Sequence, residues 1–149
     1  MKVIVALKGS IVSAGLVLAA AGPLAAQVFF SLDDLDKAMK AVGRNVSLAN
    51  TAIASSDFEG AKGRVARARE QLSPTVAFWT NEKKADAVKL VRTATARLDA
   101  LDRTLSTTPV DAPAVAAAAQ ELAAACQACH TVYREQDAAT KAFRLKRAP

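Results

Sequence analysis

Between residues 32 and 133 the apolar positions recur in steps of three and four, the spacing that gathers side chains on one face of a helix. The first run is Leu32, Leu35, Met39, Val42, Val46, Ala49 and Ile53. Ser31 stands before it as a cap, and Asp33 and Asp34 suit the positive end of the helix dipole. A second run, Phe58, Ala61, Val65, Ala68 and Leu72, follows Ser56 and Glu59, which have the spacing of a capping box, and Pro74 stops it. A third helix is expected from near Thr80, with Val88, Val91, Thr95, Leu98 and Leu105 on its stripe and Leu90 and Leu101 beside it. It ends before "STTPVDAP". The fourth starts near Ala112 and carries Val115, Ala119, Leu122, Cys126, Cys129 and Tyr133. No stretch alternates as a strand does, and no repeat exists beyond the helix rhythm.

Four one-sided stripes with short links predict an all-α fold, an antiparallel up-down-up-down four-helix bundle. A coiled coil needs longer uninterrupted segments. Alanine is plentiful on the seams, so helices can approach closely, yet little bulk remains to fill a core. A large group from outside the sequence would make up the deficit.

The stretch before the first stripe changes the picture. Lys2 and Lys8 are its only charges, residues 11–21 are apolar, and Gly22, Pro23 and small residues up to Ala26 follow. Basic start, apolar middle and small-residue exit predict a signal peptide over residues 1–26, with a cut after Ala21 as a second option. An uncleaved membrane anchor over the uncharged residues 9–30 is the competing reading. Residues 27–136 then form the four-helix domain and 137–149 a basic extension. The chain has 20 Lys and Arg against 14 Asp and Glu, and loss of Lys2 and Lys8 brings its net charge from +6 to +4. Lys141, Arg144, Lys146 and Arg147 equal that surplus, so no basic face runs through the folded part as it does in a nucleic-acid binder. The extension itself reads as a solvated, frayed end, with a docking role as the alternative.

Both cysteines and the only histidine fall in "CQACH", residues 126–130. C-x-x-C-H is the arrangement of a c-type haem attachment site. On a helix, positions i, i+3 and i+4 share a face, so Cys126 and Cys129 can form thioethers to one porphyrin and His130 can serve as the proximal iron ligand. Other readings each lack something. A thioredoxin-type pair needs a βαβ context, a structural zinc site needs a fourth ligand, and a disulfide across three helical residues leaves His130 unexplained. Met39, the only methionine after the leader, sits mid-stripe between Leu35 and Val42. It is either core filling or a distal iron ligand, and periodicity alone does not choose.

These stretches resemble the class II c-type cytochromes, the group of cytochrome c′ and the low-spin cytochrome c-556 type. "CQACHTVYR", residues 126–134, is similar to the family's C-terminal signature. "MKAVGRN", residues 39–45, resembles the first-helix segment of c-556 members, and "ANTAIASSDFEGA" the passage into the second helix. The resemblance spans nearly the whole chain after the leader. It implies one covalent haem c, iron held by His130 and Met39, and Tyr133 and Arg134 in the haem's surroundings. Arg44 is expected at the surface, while Phe78 and Trp79 are candidates to close the bundle's end or cover the haem edge. The link "SPTVAFW" is shorter than the loop of many c-556 members and the basic extension is longer, so the link offers less cover for the haem edge and the extension is a candidate to replace part of it.

The function implied is electron transfer in the periplasm with six-coordinate, low-spin haem, working with periplasmic redox proteins as a monomer or homodimer. No nucleophile–base pair or carboxylate pair stands out, and the one histidine is already assigned, which argues against an enzyme. Two alternatives remain. One is a five-coordinate, cytochrome c′-like protein that binds nitric oxide or carbon monoxide. The other is a haem subunit docked to a larger dehydrogenase through its basic tail.

Overall fold

Helix α1, Leu32–Ala54, starts where the sequence caps it. The Ser31 hydroxyl accepts the Asp34 N–H at 3.1 Å and the Ser31 N–H donates to the Asp34 carboxylate at 3.0 Å, so two terminal donors are satisfied reciprocally. The computed structural model describes residues 30–146; the expected leader, its cut after Ala26, and Arg147 lie outside them. Helix α2, Phe58–Leu72, is capped by Asp57 rather than Ser56. The Asp57 carboxylate accepts the Gly60 N–H at 2.9 Å, and a Cβ at Gly60 would meet that carboxylate at 2.0 Å. Ser56 instead makes the turn between the helices, at a φ of 60°.

The stretch taken as a link from α2 contains a further helix, α3, Thr75–Asn81, begun at Pro74. Proline suits this place because its missing N–H is not needed at a helix start. Phe78 and Trp79 are buried on α3, edge to face at 5.0 Å between ring centres. Helix α4, Ala85–Leu105, therefore starts five residues later than the periodicity suggested. Its buried stripe is Ala87, Val91, Ala94, Leu98, Leu101 and Leu105. Leu101 moves from beside the stripe into the core, whereas Val88 and Thr95 are only half-buried. Helix α5, Ala112–Tyr133, is capped by Asp111 and buries only Val115, Leu122 and Tyr133.

These helices pack as an all-α bundle. Helix α1 lies mainly against α2, α2 against α4, and α4 against α5, with α3 packed on α4. The ring does not close in the same way, since α1 and α5 barely touch. Leu98, Leu101 and Leu105 are the largest of the fully buried side chains. Leu101→Ala is expected to lower stability by about 2–5 kcal/mol, the range for a leucine whose site cannot collapse, read as a lower urea midpoint at unchanged slope.

The C-terminal segment is not a frayed end up to Lys146. Strands β1, Arg134–Gln136, and β2, Phe143–Leu145, pair antiparallel with Glu135 opposite Arg144. The Asp137 carboxylate accepts the Ala139 and Thr140 N–H groups at 3.0 and 2.8 Å and so shapes the turn. Lys146 N–H donates to the Tyr133 carbonyl at 2.9 Å, which ties the second strand to the end of α5. This hairpin corrects the strand-free expectation. Among the described residues no helix is long and apolar enough to cross a membrane.

Candidate cofactor site

Helix periodicity brings Cys126, Cys129 and His130 to one face of α5, and all three are half-buried there. Both cysteines are free thiols. Burial raises each thiol above the ordinary range, with the neighbouring Cys126 and the Asp86 charge adding to the effect at Cys129. Neutral thiols are poor nucleophiles, which sets this pair apart from a redox-active C-x-x-C. Burial, and then the Arg134 charge, lower His130, keeping its imidazole neutral as metal ligation requires.

A cleft of about 700 Å³ runs along the seam where α1 and α5 barely touch. Cys126, Cys129 and His130 line it from α5 and Met39 lines it from α1, flanked by Leu35 and Val42 one turn away on either side. Val91, Ala94 and Leu98 of α4 add to its apolar wall. The motif at the end of the chain and the methionine near its beginning thus share one cavity, of the size that ligand sites occupy. Tyr133 and Arg134 line it too, whereas Arg44 is exposed and does not. Trp79 lines the cleft; Phe78 lies behind it in the core.

Tyr133 is buried, and its hydroxyl donates to the Asp86 carboxylate at 2.5 Å, while its ring lies 4.7 Å from that of Trp79. Burial, reinforced by this hydrogen bond, pushes the Tyr133 hydroxyl up to about 12, and the same bond lowers Asp86. A raised tyrosine means the neutral form is favoured in the fold. The stabilisation is complete below pH ~10, where the unfolded phenol titrates, and is lost as pH rises towards 12. Tyr133 is the only tyrosine. Alkaline titration of tyrosinate absorbance should therefore give one transition near 12, and Asp86→Asn should move it down towards the ordinary value.

Two parts of the site's surroundings could not be placed from the sequence: Asp86, which accepts from Tyr133 without lining the cleft itself, and the hairpin residues of the basic extension. Asp86 was an unremarkable first-turn carboxylate of α4, and Lys141 to Leu145 belonged to a segment without periodicity. Both acquire a role only through long-range contacts with the end of α5. Trp79 Nε1 is a buried donor without an acceptor among the described residues.

The residues fit a haem c. The chemistry of the donor set matches, with two free thiols, a neutral imidazole and a thioether sulfur around one apolar cleft. They fit a zinc cage poorly, since among the described residues no three His, Cys, Asp or Glu side chains converge to hold a metal ion. Comparison with family models, curated proteins and solved structures returned no match.

Proposed function

We propose that this chain is an exported monohaem electron-transfer protein, a class II c-type cytochrome of the c-556 type. The reading rests above all on one observation: Met39 of α1 and the C-x-x-C-H residues of α5 line the same cleft, where the bundle lacks side-chain bulk. Cys126 and Cys129 would hold the haem through thioethers, and His130 and Met39 would hold its iron. When bound, haem supplies a one-electron ferric/ferrous couple. The rest of the work belongs to the protein. Leu35, Val42, Val91 and Leu98 give the cleft its apolar wall, and a thioether–imidazole pair kept on the iron in both oxidation states would limit reorganisation. The Tyr133–Asp86 bond fixes the last turn of α5, and with it the direction of His130.

In this reading the long helices run up-down-up-down, residues 1–26 direct export to the periplasm, and the partners are redox proteins met there by a monomer or homodimer. The protein is a carrier rather than an enzyme.

The test is the visible spectrum of the reduced holo-protein from a host with haem-attachment machinery, with and without carbon monoxide. Sharp low-spin bands indifferent to the gas are expected. High-spin bands that shift with it would favour the five-coordinate, gas-binding alternative, and a protein without haem would overturn both.

A further inference from the structure

One wall of the cleft comes from no helix. Phe143 and Leu145 of the hairpin line it, and the charged groups around it are Asp36, Lys40, Arg134, Lys141 and Arg144, beside the imidazole of His130. Most of these charges are already matched. Lys40 pairs with Asp36 at 2.6 Å, and Arg144 pairs with Glu135 at 2.7 Å and Asp137 at 3.3 Å. Arg134 and Lys141 differ, because neither has a carboxylate partner among the described residues. The Arg134 guanidinium lies over the Phe143 ring, 4.2 Å from its centre. That contact orders the group and leaves its N–H donors unassigned.

Lys141 is held by its backbone. Its N–H donates to the Asp137 carbonyl and its carbonyl accepts from Gln136 Nε2, both at 2.9 Å. It takes a φ of 58°, a conformation that glycine or asparagine adopts more readily than lysine. An apolar cleft with two unmatched cations beside it suits a ligand with an apolar body and two anionic groups on its edge. Haem is such a molecule, a flat macrocycle bearing two propionates.

We propose that the C-terminal hairpin completes the haem site, with Arg134 and Lys141 as the cations that receive the two propionates. This rests on the haem reading and extends it to a segment outside the four-helix frame. Phe143 and Leu145 then cover apolar haem surface that the short passage between α2 and α4 leaves open.

The experiment is the midpoint potential of the haem-loaded protein as a function of pH, for wild type, Lys141→Gln, Lys141→Arg and Arg134→Gln. Ionisation of a propionate lowers the potential, and a nearby cation moves that ionisation to lower pH. Lys141→Gln should move the fall in potential up by roughly 0.2–0.7 pH unit, the scale of an exposed ion pair, and Lys141→Arg should restore it. Lys141 is exposed on a turn, so its substitution leaves the bundle intact and decides the matter even if Arg134→Gln folds poorly. A haem-loaded Lys141→Gln protein with the wild-type curve would overturn the propionate role while leaving the haem reading standing. Wild type without haem would overturn both.

Discussion

Replacing Cys126 or Cys129 by alanine is expected to leave haem held by at most one thioether, and replacing both to abolish covalent attachment. The two thiols are free, half-buried, three residues apart on one face of α5, and open to one cleft. No other cysteine in the chain could take over. The readout is intact mass after extraction with acidified acetone, which removes haem that is not covalently bound. Normal two-thioether haem in either single variant would end the attachment hypothesis. Stability should change as well. Covering even ~100 Å² of apolar cleft surface contributes about 2.5 kcal/mol. In a domain of this size that corresponds to roughly 10 °C in melting temperature. The double variant should therefore melt well below the holo-protein, and an equal melting point would mean that haem does not supply the missing core.

Met39→Ala carries the second large effect, conversion of low-spin to high-spin iron and a new capacity to bind carbon monoxide. Met39 is half-buried and packs against the core, so its loss also removes packing. Met39→Leu separates the two roles. Leucine keeps the volume, typically at a cost of less than about 1.5 kcal/mol, but offers no sulfur. If Met39 ligates the iron, both variants become high-spin, whereas a low-spin Met39→Leu protein would return the residue to core filling. The same pair distinguishes an electron carrier from a gas-binding protein, since an open sixth position is what the latter needs.

The helices were legible because their signal is local. A stripe such as Leu35, Met39, Val42 and Ala49 records in one dimension the face that α1 buries, and the Ser31 cap needs only neighbouring residues, although its reciprocal bond with Asp34 showed only in the structure. The C-x-x-C-H cluster was legible for the same reason, its three side chains being brought together by helix geometry alone. Helix α3 escaped because seven residues span barely two turns, too few for a period. Its burial comes from Phe78 and Trp79 meeting α4 and Tyr133. The shift of Leu101 into the core is of the same kind, since α4 is packed by α2, α3 and α5 on different sides and no single stripe describes it. The hairpin escaped because three-residue strands cannot display alternation, and its pairing depends on Asp137 and on the bond from Lys146 to Tyr133.

The sequence by itself determined the class of fold, the helical phase of each long segment and the chemistry offered by Cys126, Cys129 and His130. It also identified Met39 as a candidate without choosing between sulfur ligand and filler. The tertiary structure decided what lies across the cleft from what. Met39 and His130 are separated by most of the chain, and only the open α1–α5 seam brings them to one cavity. Periodicity specifies which face of a helix is apolar but not which neighbour it meets, and contacts between distant segments depend on how all the helices pack at once.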